Sequence, residues 1–172
     1  ICSAVTFQGA ANVNETIFAN GAGSAGQKGV WFGRMGVQTE NQLRMGIGNG
    51  TALTMPVIAS VPLRNVPRVV EGGWTASSVF VGVDGNIVSE ARTGDATPAP
   101  NTPLIGTFLA NTHPLQGPMT EFIHCQTVPT DSERDLIRKW MASTNRAPYW
   151  PELPTLSLDF ASGVYTVSNG EV

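Results

Sequence analysis

Short stretches rich in Val, Ile, Phe and Thr recur along the chain, and Gly, Pro, Asn and Asp occupy the positions between them. Runs of roughly four to eight such residues, bounded by turn formers, are typical of β-strands. The pattern predicts strands at Ser3–Phe7, Glu15–Phe18, Val30–Met35, Gln42–Ile47, Val57–Leu63, Arg68–Glu71, Ser78–Val83, Asn86–Ala91, Leu104–Phe108 and Met119–Cys125. Many short strands at this spacing favour an all-β fold built from antiparallel sheets.

The clearest local prediction is a hairpin centred on Asp84 and Gly85. Valine occupies every second position of Ser78–Val83, so one face of that strand is purely apolar. Asp-Gly between two strands favours the positive φ angles of a two-residue type I′ turn. The sequence therefore predicts that Ser78–Val83 pairs with Asn86–Ala91 across this turn.

A helix is predicted from about Asp131 to Ser143. Thr130 and Glu133 have the spacing of a capping box, in which each side chain binds the backbone N–H of the other residue. Arg138 and Lys139 fall late in the segment, where cations favour the helix dipole. The apolar face comprises Leu136, Ile137, Trp140 and Met141. Such an amphipathic helix is expected to lie on a sheet or to plug one end of a sandwich.

The chain divides into a predicted sandwich over residues 1–144 and a C-terminal arm over residues 145–172. Asn145–Pro154 contains three prolines and no regular period, which is typical of a linker or an extended segment. Thr155–Val172 alternates apolar and polar residues again, as a strand does. It is interpreted as a returning strand of the same sandwich, a strand given to a neighbouring chain, or the start of another domain. The residues assigned to an assembly role are Tyr149, Trp150, Leu156, Leu158, Phe160 and Tyr165.

The composition indicates a packed core beneath a surface with few charges. Hydrophobic residues make up 41% of the 172 residues, which is enough for one core of ordinary domain size. Charged residues make up only 13%, about half the usual fraction, and the lysines are Lys28 and Lys139. A neutral surface costs little to bury against a neighbour, so it suits a protein packed into an assembly as well as a secreted one.

Several classes of partner are disfavoured. The net charge is −3 without a basic cluster, so the positive surface that nucleic-acid binding requires is missing. No apolar run approaches the roughly 20 residues that span a bilayer, so no membrane partner is expected. The first residue is Ile1, so we expect a processed chain or a piece of a longer one. Cys2 and Cys125 permit one disulfide but offer no zinc-binding spacing, and free thiols are the favoured interpretation.

No catalytic constellation is evident, so the chain is not expected to be an enzyme. A nucleophilic triad needs a base, and the two histidines, His113 and His124, lie in no catalytic motif. His124 neighbours Cys125, but adjacent residues of a strand face opposite sides, so a Cys–His pair is not expected. The acidic residues within 131–135 begin the predicted helix, where capping and the helix dipole explain them without catalysis.

Trp31 and Trp74 are the candidate ligand-binding residues, because an exposed indole stacks on sugar rings, and core packing is the alternative for each. The nearest approach to a calcium site is a set of oxygen donors around the predicted hairpin: Asp84, Asn86, Glu90 and Asp95. Their spacing lacks the D-x-D-x-D-G loop, so no cofactor is predicted and Ca²⁺ is kept as an alternative. Structural roles are assigned to Asp84, Gly85, Thr130, Glu133 and Trp140.

Three stretches of the chain agree in order and spacing with a known family. They are Thr16–Gly21, Ser78–Val88, and a closing segment made of Pro103–Gly106, Met119–Ile123 and Thr130–Met141. Together they resemble the laminin-G-like and concanavalin A-like lectins. The resemblance implies a jelly-roll sandwich of two antiparallel sheets with one short C-terminal helix, followed here by the extended C-terminal arm. It also implies a binding or assembly role rather than an enzymatic one.

The tail carries a second resemblance. Leu156–Tyr165 is similar to a short segment that introduces sandwich modules in bacteriophage structural proteins. This resemblance implies a virion structural or adhesion protein, such as a decoration, fibre, neck or tail component. The implied partners are other virion proteins and copies of the chain itself, with a host-surface glycan as a further ligand. The alternative is a carbohydrate-binding, lectin-like module of a secreted or cell-surface protein, with an extracellular location.

Overall fold

The computed structural model of the chain describes residues 1–21, 28–36, 42–58, 62–93, 102–108, 112–145, 154–159 and 164–169. Within these ranges the elements are β1 (Cys2–Val5), β2 (Glu15–Gly21), β3 (Lys28–Met35), β4 (Gln42–Asn49), β5 (Leu53–Thr54), β6 (Val57–Ile58), β7 (Arg68–Trp74), β8 (Ser78–Val83), β9 (Asn86–Ala91), β10 (Leu104–Ile105), β11 (Met119–Ile123), α1 (Asp131–Thr144), β12 (Pro154–Asp159) and β13 (Val164–Asn169). Each predicted strand has a counterpart, and β5 is an additional strand that its two-residue length hides from pattern analysis. No helix in these ranges is long and apolar enough to cross a membrane.

Most strands lie in two antiparallel sheets. Sheet I has the strand order β11-β1-β7-β8-β9, and sheet II has the order β10-β2-β3-β4-β5, with β6 also paired to β4. Strands distant in sequence are neighbours in both sheets, as when β7 and β11 flank β1. The expected all-β sandwich of two antiparallel sheets with one short C-terminal helix is confirmed.

The main core lies between the facing surfaces of the two sheets, and strand alternation decides which residues enter it. In β8, Val79, Val81 and Val83 are at most 2% exposed in this core, whereas Phe80 faces α1 on the outer side of sheet I. The predicted apolar face of Ser78–Val83 is therefore confirmed. Burial of each such valine stabilises the fold by on the order of 1.5–3 kcal/mol. The other core members are Val5, Phe7, Ile17, Phe18, Val30, Phe32, Leu43, Met45, Ile47, Ile58, Leu63 and Val70.

Helix α1 covers part of the outer face of sheet I. A second apolar cluster joins Cys2, Ala4 and Val69 of the sheet to Met141 and Ala142 of the helix. The side chains that pack beside this cluster are Ile123, Ile137 and Trp140. An amphipathic helix lying on a sheet was one of the two placements that the sequence predicted, and it is the observed one.

The start of α1 has the predicted capping box. Thr130 Oγ1 accepts a hydrogen bond from the Glu133 N–H at 3.3 Å, and the Glu133 carboxylate accepts one from the Thr130 N–H at 2.7 Å. The predicted match between late cations and the helix dipole is wrong, because α1 continues to Thr144 and its last turn contains no basic residue. Arg138 and Lys139 therefore lie in the middle of the helix, and Arg138 turns toward sheet I.

The β8–β9 hairpin has the predicted two-residue turn. The φ angle is 48° at Asp84 and 86° at Gly85, as a type I′ turn requires. The Asp84 carboxylate accepts hydrogen bonds from the Val69 N–H at 2.9 Å and from Arg68 at 2.6 Å. These bonds attach the turn to β7, so the aspartate fixes the hairpin in sheet I.

Several predicted strands are shorter than the sequence pattern indicated. Of Val57–Leu63, the first two residues form β6 and the last two are not in a strand, while residues 59–61 lie outside the described residues; Leu104–Phe108 is a strand only in its first part, β10. The chain leaves sheet II after β10 because Gly106 has a φ of 73°, and the Gly106 N–H makes the last bond to β2 there, donating to the Ile17 carbonyl at 2.8 Å. The strand β11 ends at Ile123, two residues before the predicted end at Cys125.

The strands β12 and β13 form a two-stranded antiparallel sheet of their own, which we call the C-terminal hairpin. Its register places Leu156 opposite Val167 and Leu158 opposite Tyr165, so these four apolar positions fall on one face, whereas Val164 falls on the other face, opposite Asp159. The opposed positions on the other face include Ser157 and Thr166. A strand that returns to the sandwich is therefore the wrong interpretation for the described part of this segment, since neither β12 nor β13 joins sheet I or sheet II.

Candidate binding cleft beside Trp74

An open cleft lies between the sheets, at the end where β2 and β10 of sheet II face β7 and β11 of sheet I. Its volume is about 480 Å³, within the roughly 300–1,000 Å³ usual for small-ligand sites. The described residues that line it are Phe18, Asn20, Val30, Trp74, Pro103, Ile105, Phe122, His124, Cys125 and Gln126. We call this space the Trp74 cleft.

Aromatic rings form one wall of the Trp74 cleft. Phe18 stacks on Phe122 and on His124, with ring centroids 6.2 Å and 5.8 Å apart and planes inclined by 20° in both pairs. Partial burial lowers the pKa of His124 below its ordinary value of 6.5, so the imidazole is uncharged at neutral pH. The described lining contains no Asp, Glu, Lys or Arg. The cleft therefore suits an uncharged ligand with substantial apolar surface.

Trp74 also lines a second, smaller cavity of about 90 Å³ beneath α1. The two spaces share Trp74, His124, Cys125 and Gln126. The far side of the smaller cavity carries charge, because Glu71 and Arg134 contribute to its lining. The uncharged cleft and the partly charged cavity thus adjoin along these four residues.

A largely buried ion-pair network lies beside the smaller cavity. Glu71 of β7 is 3% exposed and points to α1, where its carboxylate meets Arg138 Nη1 at 2.5 Å and Arg134 Nη1 at 3.6 Å. Gly82 on β8 makes room for this side chain, since a Cβ there would lie 2.7 Å from Glu71 Cγ. Arg134 also lies over the Phe80 ring, 4.6 Å from its centroid. Because both carboxylate oxygens face arginines, the network attaches α1 to sheet I.

The structure separates the two tryptophans that the sequence nominated as ligand contacts. Trp31 is 8% exposed, and its Nε1–H donates to Thr16 Oγ1 at 3.0 Å. A sugar needs an open ring face for stacking, so Trp31 takes the core-packing alternative and is unsuited to ligand binding. Trp74 is only partly buried and lines the open cleft, so it keeps its candidate role.

The expectation that His124 and Cys125 face opposite sides is wrong. The strand β11 ends at Ile123, so strand alternation no longer applies to the two residues that follow, and both line the Trp74 cleft. No hydrogen bond joins them within the described part of the chain. His113 lies elsewhere, with its ring 5.8 Å from the ring of Phe108. The two residues therefore border the same cleft without the hydrogen bond that activates a nucleophile.

Both cysteines are free thiols, as the favoured interpretation of the sequence held. Cys2 lies under α1 with its Sγ 3.4 Å from Met141 Sδ, and burial raises the pKa of this thiol to about 12. A thiol with such a pKa is not ionised at neutral pH and is a poor nucleophile. Cys125 is partly exposed beside the Trp74 cleft.

The oxygen donors considered for calcium do not converge. The Asp84 carboxylate is already bonded to β7, and Glu90 Oε2 accepts a hydrogen bond from the Met55 N–H at 3.3 Å. Asn86 is exposed at the start of β9, and Asp95 lies outside the described residues. Over the ranges that the structure describes, no group of three or more His, Cys, Asp or Glu residues could hold a metal ion.

A fully buried ion pair lies at the other end of β2 and β3, and no pattern in the sequence predicted it. Glu15 and Arg34 are both 0% exposed, with Arg34 Nε 2.7 Å from Glu15 Oε2. Glu15 Oε1 also accepts the N–H groups of Gly9 and Gln116, at 3.1 Å and 3.0 Å. Arg34 Nη2 donates to three carbonyls of the connection between β1 and β2. The pair therefore fastens that connection to sheet II.

The residues assigned to an assembly arm are only partly within the described chain. Leu156 and Leu158 lie in β12, and Tyr165 lies in β13. Outside the described residues lie Tyr149, Trp150 and Phe160. The arm is therefore represented by the C-terminal hairpin.

Comparison with known proteins gives no relative from which a role could be transferred. No family model, no curated protein and no solved structure matches the chain. The function must accordingly be argued from the geometry of the Trp74 cleft, the sheet edges and the C-terminal hairpin.

Proposed function

We propose that this chain is a virion structural and adhesion module of the laminin-G-like kind, without enzymatic activity. Its role is protein–protein assembly, in which the sandwich packs beside other virion proteins and copies of itself. The observation that carries the proposal is the C-terminal hairpin, whose strands pair with each other and with neither sheet of the sandwich in the described part of the chain.

A hairpin of this size needs further packing. Each of its strands has six residues, and a two-stranded hairpin by itself is at best marginally stable in water. Two opposed apolar pairs, Leu156 with Val167 and Leu158 with Tyr165, share one face of the hairpin. Covering that face with a neighbour removes apolar surface from water and stabilises both partners. Because β12 runs beside α1, a neighbouring subunit would meet the hairpin and the helix together.

The surface of the sandwich also suits close packing, because ion pairs within the subunit use many of its charges. Glu15 pairs with Arg34, Asp84 pairs with Arg68, and two arginines of α1 pair with Glu71. Charged residues are only 13% of the chain. Each internal pair reduces the number of charges that a neighbour would have to desolvate.

Self-association of the full chain tests the assembly proposal. We expect sedimentation velocity to show an average mass that increases with concentration. Substituting Leu158→Glu and Tyr165→Glu together places two acids opposite each other in the hairpin, and this variant should associate more weakly than the wild type. The matched control substitutes Ser157→Glu and Thr166→Glu, an opposed pair on the other face of the same hairpin, and it should associate as the wild type does.

Two results would overturn the assembly proposal. One is a wild-type chain that stays monomeric at the highest attainable concentration. The other is an equal loss of association in both pairs of hairpin variants, because only one pair changes the apolar face. Antibody labelling of purified virus particles tests the location, and particles without the chain would favour the extracellular alternative.

A carbohydrate-binding, lectin-like module is the second candidate function, favoured by the partly buried Trp74 in an uncharged cleft. His124 and Gln126 supply donors and acceptors beside the indole, as sugar hydroxyls require. A glycan array should then give hits that Trp74→Ala removes. Trp31→Phe is the control, since the Trp31 ring lies away from the open cleft. An array without hits would reject this candidate.

A further inference from the structure

The edges of the two sheets are protected to different degrees. In sheet II, the edge strands β10, β5 and β6 are each two residues long. In sheet I, the end of α1 lies beside β11, where Thr144 and Asn145 both donate to the Glu121 carboxylate. Short strands and covering elements are the usual means of shielding unpaired strand backbone. The remaining edge, β9, has six residues and neither protection within the described ranges.

Sheet II covers β9 only in part, through β6 and the Met55 N–H. The inward valines of its neighbour β8 are at most 2% exposed, but Val88, which lies opposite Val81 on the same face, is 38% exposed. Every residue of β9 is exposed except Ile87, which is partly buried. The strand also contains no Lys and no Pro, the residues that commonly prevent an edge from pairing.

The outward backbone groups of β9 belong to Ile87, Ser89 and Ala91. Residues 83 and 86 flank the two-residue turn and form the first hydrogen-bonded pair of the hairpin. Hydrogen-bonded and non-hydrogen-bonded pairs alternate along an antiparallel ladder, so residues 86, 88 and 90 of β9 bond to β8. The Arg92 N–H, which donates to the Ser77 carbonyl at 2.8 Å, continues that series. Apart from the β8–β9 pairing, no backbone hydrogen bond among the described residues engages the three outward residues. The strand therefore presents an unpaired antiparallel edge.

We infer that a second copy of this chain pairs with β9 through its own β9, antiparallel and across a twofold axis. A second copy is the occupant because it brings an edge of the same length and with the same unpaired groups. The pairing would join sheet I of two subunits into one continuous sheet. This interface goes beyond the proposed function, and it uses no residue of the C-terminal hairpin.

The side chains of β9 select one register for this pairing. With the twofold axis at Val88, the exposed Val88 of one copy meets Val88 of the other, and the Asn86 amide faces the Glu90 carboxylate. A twofold axis at Ser89 would instead place valine against glutamate. The next register in the same direction would oppose two glutamates, which is destabilising. The register centred on Val88 therefore covers apolar surface and gives Glu90, the one acid of the strand, a hydrogen-bonding partner besides the Met55 N–H.

Disulfide cross-linking tests both the interface and its register. In a Cys125→Ser background, Val88→Cys should give disulfide-linked dimers on mild oxidation. The two Val88 residues form a non-hydrogen-bonded pair, in which the Cα atoms lie about 4.5 Å apart. That distance is within the roughly 4.4–6.8 Å that disulfides span. Ser89→Cys on the same strand should not link, because its counterpart lies two residues away along the strand, at roughly 8 Å. Val128→Cys controls for random collision, since that valine is 39% exposed outside the strands.

A charge at the axis provides a second measurement. Val88→Lys would oppose two lysines, so sedimentation velocity should show the dissociation constant of the dimer raised by about tenfold or more. Val128→Lys is matched to it in residue type and exposure and should leave the dimer intact. Far-UV circular dichroism of each variant confirms that the sandwich is folded.

The inference is overturned if Val88→Cys links no faster than Val128→Cys, if Ser89→Cys links in its place, or if Val88→Lys leaves association unchanged. The outcome is separable from that of the proposed function. If the Val88→Cys dimers form and the hairpin variants associate normally, the β9 interface is supported and assembly through the hairpin is rejected. The reverse pattern would reject the β9 interface alone.

Discussion

Replacing Glu15 by Gln is expected to remove a large part of the stability of the sandwich. The glutamine has the same shape, and its Oε1 can still accept the N–H groups of Gly9 and Gln116. In the wild type, Arg34 Nε lies 2.7 Å from Glu15 Oε2. In the variant, the amide nitrogen of the glutamine would take the place of Oε2 and would face Arg34 Nε as a second donor. The substitution therefore leaves a guanidinium charge without a counter-charge, where neither side chain contacts water.

The magnitude of the loss follows from this burial. Removing one member of a buried ion pair destabilises a protein by roughly 3–5 kcal/mol, because the remaining ion loses its partner without regaining hydration. Arg34 Nη2 would keep its three carbonyl acceptors, which argues for the lower part of that range, roughly 3–4 kcal/mol. Domains have roughly 5–15 kcal/mol of stability in total, so most of the variant should remain folded at 25 °C.

Urea unfolding followed by far-UV circular dichroism measures this loss. Glu90→Gln is the control, since Glu90 is exposed and accepts one 3.3 Å hydrogen bond, and it should change the free energy of unfolding by no more than about 0.5 kcal/mol. Glu15→Gln combined with Arg34→Met leaves no buried charge, so the double variant should lose less than the two single variants added together. A cost below about 1 kcal/mol for Glu15→Gln would refute the reasoning.

Three further predictions concern the hairpin turn, the helix cap and the thiols. Gly85→Ala, at a φ of 86°, should lower the free energy of unfolding by roughly 1–2 kcal/mol in thermal melts, and an unchanged Tm would contradict the left-handed turn. Thr130→Ala should cost about 1 kcal/mol through loss of the cap. The Thr130 hydrogen bonds lower the pKa of Glu133 below its ordinary value of 4.5. The stabilisation from these bonds is therefore present above pH 4.5, and it is lost as the pH falls through the lower pKa that Glu133 has in the folded chain. Thr130→Ala should therefore make acid unfolding curves less steep, and curves of unchanged slope would count against this linkage. Ellman's reagent should titrate Cys125 in the native chain and Cys2 only after unfolding, and two fast thiols would contradict the burial of Cys2.

The β8–β9 hairpin and the start of α1 could be predicted from the sequence because local chemistry decides both. Asp84-Gly85 supplies the two positive φ angles of the turn, and the valine alternation before it identifies the face of β8 that enters the main core. Thr130 and Glu133 satisfy each other's backbone N–H groups whatever the helix packs against. Such signals need no knowledge of the rest of the chain, and the structure agrees with both.

Contacts between distant residues could not be predicted in this way. Glu15 and Arg34 are 19 residues apart, and their burial depends on the connection between β1 and β2 folding over them. The two candidate tryptophans look alike in sequence, but the outcome for Trp31 depends on a hydrogen bond to a neighbouring strand, while Trp74 ends β7 at an open end of the sandwich. His124 entered the cleft because β11 stops one residue before it, and strand ends are set by packing rather than by alternation.

The unequal covering of sheet I connects its packing to the proposed assembly role. The helix α1 is held over β1 and β7 by the second apolar cluster and by Glu71, so that part of the outer face is complete within one subunit. Among the described residues, the strand β9 receives no hydrogen bond from the helix and meets sheet II only in part, through β6 and the Met55 N–H, and its exposed Val88 continues the apolar row that Val81 begins. Covering β9 therefore requires material from outside the subunit. A twofold copy satisfies its backbone and its apolar residue in one contact, while the C-terminal hairpin remains available for a different neighbour.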